Sequence, residues 1–535
     1  MLRAKLQKSM KKQRQQQLQG ILVLDFGAQY AHLICRRIRE LGVYSELVPF
    51  GVTPEEILQK GANGLILSGG PKSVYEKGAP LPNPKIYDLG IPVLGICYGL
   101  QAIVHQKGGE VLRSTKREFG KASVQFSPGS LGSSNRLFKG IPSPTTCWMS
   151  HGDAASALPE GFGSIAYSEN SPFAAIASGN LYAVQFHPEV SHTEKGMDIL
   201  SNFLFEICRC KKNWTADTMI EDMIKEINSK LGPNDRVLCA LSGGIDSATT
   251  TAVLERAIGE RLSCVFVDHG LLRKGEKQRI EAVFRPRLGK NLIVLDASSI
   301  FLRKLKGVSD PERKRKIIGR EFIRVFERIA KKLESERKVE WLAQGTLYTD
   351  IVESARGASI HQSKIKSHHN VGGLPRRMGL KLIEPLKDLY KDEVRRVAAT
   401  LGLPQELVNT HPFPGPGLAV RVVGSLTRKK IEICRESSAI VEEEIDSAGL
   451  HDRIWQAFAI VGDDLATGVL GDERSMGHIV TVRIVESRDA MTADWARVPY
   501  SILESISNRI TNEVAGVTWV TYAISSKPPS TIEPQ

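Results

Sequence analysis

The stretch that decides the fold of this chain is Cys239-Ala240-Leu241-Ser242-Gly243-Gly244-Ile245-Asp246-Ser247. The apolar run Arg236 to Leu241 predicts a buried strand, and Ala248 to Ile258 predicts a helix directly after the turn. Backbone N–H groups in such a small-residue turn, with a helix N-terminus behind them, form an anion site for a phosphate or pyrophosphate. The lysine of the G-x-x-x-x-G-K-[ST] loop is missing. We therefore predict a phosphate cradle that differs from the kinase-type loop.

The segment Ser242 to Ser247 resembles the loop of the ATP pyrophosphatases. This resemblance implies that ATP is split between its α and β phosphates and that a substrate is adenylated. The ATP-binding residues that it implies are Ser242, Gly243, Gly244, Ile245, Asp246, Ser247 and Ala248. Magnesium is expected to accompany ATP, with Asp246 as a candidate ligand and the other ligands unassigned. No organic prosthetic group is expected.

Two further strands are predicted in the same sheet, Leu262 to Val267 followed by Asp268, and Asn291 to Leu295 followed by Asp296. Parallel sheets bind ligands at the carboxyl ends of their strands, so we expect Asp268 to face the nucleotide beside the Ser242 loop. The alternative for each aspartate is a cap on the next helix, and for Asp296 we prefer it.

Composition bounds the class of protein. At 535 residues, the chain is long enough for roughly three domains of about 150 residues. Its hydrophobic content of 41% and charged content of 24% are typical of a soluble globular protein. No apolar run approaches the roughly 18 residues of a membrane helix, so no membrane association is expected. The eight cysteines are sparse and irregularly spaced, which favours a reducing compartment and a cytoplasmic location.

The net charge of +13 suits nucleic-acid binding, and equally an enzyme whose substrates all carry phosphates. The densest basic run, Arg313 to Arg320, has no interleaved aromatic residue for stacking on bases, so phosphates explain it and no nucleic-acid partner is expected. Residues 1–20 are basic and free of acids, which predicts a flexible tail, with a short targeting segment as the alternative.

The first third of the chain alternates strand and helix patterns, which predicts a parallel sheet covered on both faces. A predicted strand from Pro92 runs into a helix through Gly95-x-Cys97-x-Gly99. This is the G-x-S-x-G nucleophile elbow with sulfur in place of oxygen. A buried cysteine by itself is more often inert packing, but two further features favour Cys97 as a nucleophile.

The first feature is His187-Pro188-Glu189, a potential base and an orienting carboxylate at the end of the predicted strand Tyr182 to Phe186. The second is Ser68-Gly69-Gly70-Pro71, a glycine turn after another predicted strand. Amides of this turn, at Gly70, are expected to form an oxyanion hole with the N–H of Tyr98, the residue after the nucleophile.

With these three motifs in order, residues 21 to about 208 resemble a class I glutamine amidotransferase domain. The resemblance implies that Cys97 attacks the glutamine amide, that His187 shuttles the proton and that Glu189 holds the imidazole. It also implies that Gln101, His151 and Asp153 help to bind glutamine. For His151 and Asp153 an equally weighted alternative is a turn with a capping aspartate.

The last third follows a proline and glycine segment, His411 to Gly417, that predicts a domain boundary. Its C-terminal segments resemble the GMP synthetase family, and the resemblance covers Ile21 to Glu533. It implies that this domain completes the XMP site and forms a homodimer, with XMP contacts from Lys527, Thr531, Ile532 and Glu533. Three departures from the family pattern are His269, Thr349 and the final Pro534-Gln535.

The predicted architecture is α/β: two doubly wound parallel-sheet domains and a smaller α+β C-terminal dimerisation domain. The predicted boundaries are 1–20 for the tail, 21–210 for the amidotransferase domain, 216–411 for the ATP pyrophosphatase domain and 412–535 for the C-terminal domain. The implied activity is GMP synthesis from XMP, ATP and glutamine. The alternatives are another amidotransferase coupled to an ATP pyrophosphatase, such as an NAD synthetase, and a nucleic-acid-binding protein that kept only the fold.

Overall fold

The computed structural model describes residues 20–28, 30–127, 136–337, 339–351, 380–470, 473–487 and 492–535. The chain divides into two compact units, Met1–Thr218 and Met219–Gln535. The basic tail over residues 1–19 lies outside the described residues. Among the residues described, no helix is long and apolar enough to span a membrane.

The first unit is built on a nine-stranded sheet with the order β2-β1-β3-β4-β9-β8-β7-β5-β6. The strands are β1 Gly20–Asp25, β2 Tyr44–Pro49, β3 Gly64–Leu67, β4 Val93–Ile96, β5 Glu110–Phe126, β6 Thr145–Ala157, β7 Gly163–Tyr167, β8 Ala175–Ser178 and β9 Leu181–Val184. The helices are α1 Ala31–Glu40, α2 Pro54–Lys60, α3 Tyr98–Gln106 and α4 Gly196–Ser201.

Five strands of this sheet are parallel, as predicted, and four are not. β2, β1, β3, β4 and β9 pair in parallel, and β1 is buried throughout its apolar run Ile21 to Leu24, as expected for a sheet covered on both faces. β8, β7, β5 and β6 extend the sheet with antiparallel pairings. The long β5–β6 pair was not predicted, because its polar residues lack a clean period of two.

The second unit contains a five-stranded parallel sheet with the order β12-β11-β10-β13-β14. Its strands are β10 Arg236–Leu241, β11 Leu262–Asp268, β12 Leu292–Asp296, β13 Val339–Ala343 and β14 Lys381–Ile383. The helices around it are α5 Ala216–Lys230, α6 Ile245–Ile258, α7 Glu276–Leu288, α8 Ser298–Leu305, α9 Pro311–Arg337, α10 Lys391–Thr400 and α11 Gln405–Val408. β10 is the middle strand of this sheet. The predicted phosphate cradle follows its carboxyl end, so it lies at the centre of the row of strand ends.

A second, mostly antiparallel sheet follows in the same unit. It comprises β15 Gln456–Leu470, β16 Glu473–Glu486, β17 Asp494–Trp495 and β18 Val517–Tyr522, with α12 Arg428–Ser447 and α13 Tyr500–Glu513 as its helices. β15 pairs antiparallel with β16, and β18 pairs parallel with it. One hydrophobic core joins residues of both sheets, including Leu238 and Val482. The boundary at 411–412 therefore lies inside a compact unit and stays a prediction.

Candidate active sites

Cys97 lies at the junction of β4 and α3 in a backbone conformation that side chains rarely adopt, with φ 53° and ψ −103°. Its two flanking glycines allow the tight turn. A Cβ on Gly95 would lie 2.6 Å from the carbonyl carbon of Gly99, and a Cβ on Gly99 would lie 2.4 Å from the carbonyl oxygen of Leu67. The elbow therefore requires glycine on both sides and forces the Cys97 thiol off the end of the sheet.

His187 and Glu189 form a buried pair after β9. His187 Nδ1 lies 2.7 Å from Glu189 Oε1, and both side chains are almost fully buried. Backbone contacts hold the segment, because the His187 N–H donates to Trp148 O at 3.0 Å and the His187 carbonyl accepts from Thr193 Oγ1 at 2.6 Å. The arrangement orients the imidazole with Nδ1 toward the carboxylate.

The pKa of His187 shows how this pair works. Burial lowers it, but the Glu189 carboxylate and the hydrogen bond with Cys97 outweigh that effect and raise the pKa to about 11. His187 therefore holds a proton at neutral pH. An imidazolium next to a cysteine sulfur is the arrangement that stabilises a thiolate.

The glycine turn predicted to supply the oxyanion hole lies next to these residues. A Cβ on Gly69 would lie 3.3 Å from His187 Cε1 and 4.0 Å from Cys97 Cβ. A Cβ on Gly70 would lie 3.0 Å from Cγ of Tyr98. Because Tyr98 is the first residue of α3, its amide belongs to the group of helix N–H donors without an intrahelical partner. The structure thus brings Gly70 and Tyr98 together beside the cysteine.

The three residues predicted to bind glutamine lie together: Gln101 on α3 and His151 on β6 both contact the carbonyl of Asp153. Gln101 Nε2 donates to the carbonyl of Asp153 at 2.8 Å, and His151 Nδ1 lies 3.1 Å from the same oxygen. The Asp153 carboxylate accepts from Ser73 Oγ and from Tyr75 Oη. His151 and Asp153 are strand residues, so the alternative of a turn with a capping aspartate is wrong.

Two neighbours of this site were not identified from the sequence. Gln185 Nε2 lies 3.7 Å from Cys97 Sγ, and Glu118 Oε2 lies 3.0 Å from His151 Nε2. Gln185 could have been found, because it lies two positions before His187 and so on the same side of the extended chain. Nothing in the sequence around Glu118 indicated this contact, because it depends on how β5 pairs with β6.

The loop after β10 has the geometry predicted for the phosphate cradle. Ser247 Oγ accepts from the Ser242 N–H at 3.0 Å and donates to Gly244 O at 2.9 Å, which ties the loop to the first turn of α6. Gly243 has φ +86°, and a Cβ there would lie 2.6 Å from Glu276 Oε1. The loop residues Ser242 to Ser247 therefore enter α6 through a turn that requires glycine, with Ala248 inside the helix.

Asp246 lies in the first turn of α6, and its carboxylate oxygens lie 2.6 and 2.7 Å from Lys391 Nζ. Lys391 was not predicted. The sequence feature that could have identified it is its place at the first position of a helix, α10, where the helix dipole disfavours a cation. A cation in that position, paired with a loop aspartate, is suited to phosphate groups.

The two strand-end aspartates differ. In register, β10 Leu241 pairs with β11 Phe266, so Asp268 is at the same sheet edge as the loop. Its Oδ1 accepts from the Gly270 N–H at 2.9 Å, which forms a turn well before α7, so it does not cap that helix. Asp296 Oδ1 accepts from the Ser298 N–H at 2.9 Å at the start of α8, as the preferred interpretation expected.

The departure at His269 has a packing explanation. The His269 ring contacts the rings of Phe301 and Phe322, with centroids 5.8 and 5.2 Å away, and its Nδ1 accepts from the Leu271 N–H. Burial and Arg435 lower the pKa of His269 to about 4, so the ring is neutral. The imidazole acts here as a packed aromatic residue with one acceptor. The second departure, Thr349, lies in a short helical turn after β13.

The C-terminal segment is held by buried arginines. Arg421 donates from Nε and Nη2 to the two carboxylate oxygens of Glu533 at 3.1 and 2.9 Å, and Gln456 Nε2 adds a third donor at 3.0 Å. Arg483 donates to the carbonyls of Ser525 and Thr531. The Glu533 side chain is therefore bonded to Arg421 and Gln456 inside the protein. The sequence did not indicate these partners.

The other three residues predicted to bind XMP occupy different environments. The backbone of Lys527 pairs with Ala493 in an isolated bridge, and its side chain is partly exposed. Thr531 Oγ1 donates to Glu533 O at 2.5 Å and is exposed, whereas the Ile532 side chain packs in a small core with Phe458. The Ile532 side chain is therefore packed inside the protein, whereas those of Lys527 and Thr531 reach its surface.

The final residue, the third departure, is also anchored. Gln535 Oε1 accepts from Lys314 Nζ and its main-chain oxygen accepts from Arg315, both at 2.7 Å. Lys314 is fully buried, and burial lowers its pKa to about 8. The basic run on α9 thus holds the C-terminal end of the chain, in addition to any phosphate that it meets.

Two models of known protein families match parts of this chain. The model of the class-I glutamine amidotransferase family matches residues 22–207, which contain the whole Cys97 site. The model of the GMP synthase C-terminal domain matches residues 443–534, which contain Lys527 and Glu533. The first unit is a class-I glutamine amidotransferase domain.

Related proteins are similar to nearly the whole chain. A glutamine-hydrolysing GMP synthase from Aquifex aeolicus is 53% identical and covers 97% of this chain and 99% of its own. Those from Geobacillus kaustophilus and Thermobifida fusca are each 52% identical over 96% of this chain, and 99% and 97% of their own lengths. The chain belongs to the glutamine-hydrolysing GMP synthase family.

Proposed function

We propose that this enzyme makes GMP from XMP, ATP and glutamine in two coupled reactions, each assigned here to named residues. The observation that carries the proposal is the presence in one chain of a complete cysteine, histidine and carboxylate site and a separate phosphate loop. The first releases ammonia from glutamine, and the second activates the XMP oxygen that ammonia replaces. The products are GMP, glutamate, AMP and pyrophosphate.

In the first reaction, the Cys97 thiolate attacks the amide carbon of glutamine. The His187 imidazolium then gives its proton to the departing ammonia, and Glu189 holds the ring in place. The support is the buried His187–Glu189 pair and the raised pKa of His187. Amides of Gly70 and Tyr98 stabilise the oxyanion, and Gln101, His151 and Asp153 shape the pocket for the substrate. Water hydrolyses the thioester and frees glutamate.

In the second reaction, the loop Ser242 to Ser247 binds the phosphates of ATP through its backbone N–H groups and the N-terminus of α6. The XMP oxygen attacks the α phosphorus, and pyrophosphate leaves. Ammonia then adds to the purine carbon, and AMP departs with the oxygen. Adenylation is needed because an unmodified oxygen on a purine is a poor leaving group. Asp268 faces the nucleotide from the same sheet edge.

Magnesium fits this site as a companion of ATP. Mg²⁺ is usually bound by one or two carboxylates together with substrate phosphates, and Asp246 supplies a carboxylate in the first turn of α6. When bound, the ion neutralises phosphate charge. Lys391, which holds both oxygens of Asp246, orients that carboxylate.

The XMP site is assigned to the C-terminal segment. Lys527 and Thr531 contact XMP through their side chains, and Ile532 contacts it through its backbone. Glu533 is held by Arg421 and Gln456, which fixes its carboxylate in one orientation. A Glu533→Gln variant is expected to raise KM for XMP while KM for glutamine stays unchanged, and equal changes in both would contradict the assignment.

We also propose a homodimer formed through the C-terminal domain, from residue 412 onward. Leu465 and Val469 on β15 and Met476 on β16 lie on one face of the sheet, since Thr467 pairs with Met476. All three side chains are at least half exposed, and so is that of Trp519 on β18. Exposed apolar side chains clustered on a sheet face are typical of an interface. Val469→Glu should yield monomers in sedimentation.

A cytoplasmic location fits the eight cysteines, all of which are free thiols. Substrate choice separates the proposal from its alternatives. Pyrophosphate should be released with XMP and not with deamido-NAD, whereas the reverse would favour an NAD synthetase. Salt-sensitive RNA binding without turnover would favour the nucleic-acid-binding alternative.

The experiment that tests the two-site assignment replaces Asp246 and measures GMP formation with glutamine and with ammonia. An Asp246→Asn enzyme should lose synthesis from both nitrogen sources and still hydrolyse glutamine at Cys97. A variant with unchanged ammonia-driven synthesis would remove Asp246 from the ATP site. Glu221→Gln, at an exposed position on α5, is the matched control.

A further inference from the structure

A second buried histidine–carboxylate pair lies in the amidotransferase domain. Glu118 on β5 and His151 on β6 are directly opposite each other in the antiparallel register, and Glu118 Oε2 lies 3.0 Å from His151 Nε2. The two side chains are 5% and 2% exposed. A buried pair of this kind is kept only when its polar atoms are fully bonded, so its partners define what it does.

All the partners of Glu118 are donors. Besides His151, its carboxylate accepts from Ser168 Oγ at 2.9 Å and from the backbone N–H of Asn170. Burial raises the pKa of Glu118, but these hydrogen bonds together outweigh burial and lower it below its usual range. Glu118 is therefore an ionised carboxylate that accepts three hydrogen bonds.

The partners of His151 are both acceptors. Nε2 faces the Glu118 carboxylate, and Nδ1 lies 3.1 Å from the carbonyl oxygen of Asp153. A carbonyl oxygen and an ionised carboxylate accept hydrogen bonds and donate none. The His151 ring is therefore held between two acceptors, with Glu118 on one side and the Asp153 carbonyl on the other.

The strand segment that His151 belongs to contacts three residues of the cysteine site through its backbone. The carbonyl of Trp148 accepts from the His187 N–H at 3.0 Å, and that of Ser150 lies 3.7 Å from Cys97 Sγ. The carbonyl of Asp153 accepts from Gln101 Nε2 at 2.8 Å. A shift of residues Ser150 to Asp153 would therefore move the carbonyls that face Cys97 and Gln101.

We propose that Glu118 is a positioning residue for glutamine: it holds the His151 ring against the carbonyl of Asp153 and so fixes the segment Ser150 to Asp153 beside Cys97. The inference rests on the proposed glutamine hydrolysis at Cys97 and adds a determinant of substrate binding to it. Because the pair acts on the pocket wall, it affects binding of glutamine more than the chemical step.

Glu118→Gln tests this directly. A glutamine side chain has one acceptor oxygen and an NH₂ donor, and it would face three donors, so at least one contact is lost. KM for glutamine is expected to rise about tenfold or more, equivalent to about 1.4 kcal/mol per tenfold. The glutaminase kcat should change less than about threefold, and ammonia-driven synthesis should be unchanged.

Glu110→Gln is the matched control. Glu110 is also on β5 and accepts from Ser156 Oγ of β6 at 2.7 Å, but this contact is exposed and lies at the start of the strand, away from Glu118. Its KM for glutamine should be that of the unmodified enzyme. A Glu118→Gln enzyme with lower thermal stability and unchanged KM would overturn the proposal and leave a purely structural role.

A second variant keeps the proposal testable if Glu118→Gln does not fold. Ser168→Ala removes one of the three donors to Glu118 and should raise KM for glutamine by a smaller factor. An unchanged KM in Ser168→Ala would overturn the proposal. Alkylation separates the two hypotheses: failure of Cys97 to react with a chloroketone analogue of glutamine would contradict the proposed function itself. Normal alkylation of Cys97 with an unchanged KM for glutamine in the variants would contradict only the inference.

Discussion

The elbow at Cys97 and the loop at Ser242 to Ser247 are both junctions from a parallel strand to a helix, yet they carry the unusual backbone differently. At the elbow, the positive φ of 53° falls on a residue with a side chain. At the loop, the positive φ of 86° falls on Gly243. Hence a side chain occupies the unusual backbone position at the elbow, and none occupies it at the loop.

The two junctions therefore differ in the backbone strain that each of them contains. A strained non-glycine residue costs about 1–3 kcal/mol and persists only where the surrounding structure holds it. At the elbow, packing around Gly95 and Gly99 offsets that cost and holds the Cys97 side chain in place. At the loop, glycine avoids the strain, and a Cβ at Gly243 would collide with Glu276.

The largest effect is expected at the elbow. A Cys97→Ala enzyme should lose glutamine-dependent GMP synthesis by about 10⁴-fold or more, because the nucleophile is absent. Ammonia-driven synthesis should be retained, since the phosphate loop is intact. Initial rates with each nitrogen source measure both quantities. Loss of both activities together would mean that the two junctions are not separate sites.

The next effect is expected at the loop. Gly243→Ala should lower synthesis from both nitrogen sources by about 10-fold to 100-fold, because a Cβ at φ +86° would lie 2.6 Å from Glu276 Oε1. Alkylation of Cys97 should proceed normally. Gly259→Ala is the control, since Gly259 follows the same helix at φ +54° with nothing within 4 Å. Equal loss in both variants would attribute the effect to backbone strain alone.

A pH-dependent effect is expected from the pair behind the elbow. Folding raises the pKa of His187 from 6.5 to about 11, so its contribution to stability is fully present below pH 6.5 and is lost as the pH rises toward 11. The difference in Tm between the unmodified enzyme and Glu189→Gln should therefore be largest near pH 6 and shrink with increasing pH. A difference that grows with pH would show that Glu189 does not hold a protonated His187.

The smallest effect measures the strain itself. Cys97→Gly should be more stable than Cys97→Ala by about 1–2 kcal/mol in urea unfolding, because only glycine relieves the positive φ. Lys195 is the control position: it precedes α4 in the same way but has φ −111°. The difference between glycine and alanine should be smaller at Lys195. Equal differences at the two positions would mean that the elbow stores no strain.

Much of both sites could be predicted because their motifs are local. The nucleophile elbow, the His187-Pro188-Glu189 segment and the Ser242 loop are each short runs with their own strand and helix signals. The parts that escaped prediction join distant segments. Lys391 meets Asp246 across 145 positions, and Arg421 meets Glu533 across 112. No spacing rule relates such residues, because their proximity depends on sheet order.

Three motifs of the candidate sites can be identified from local sequence: a thiol between two glycines, a histidine with a carboxylate two residues later, and a glycine-rich loop without lysine. Each is short enough for the geometry of one strand-to-helix junction or one strand end to form it. The groups that surround these motifs depend on the folded chain. The register of β5 against β6 pairs Glu118 with His151, and the packing of α10 beside α6 brings Lys391 to Asp246. These contacts exist only in the folded chain, because each joins segments that are far apart in sequence.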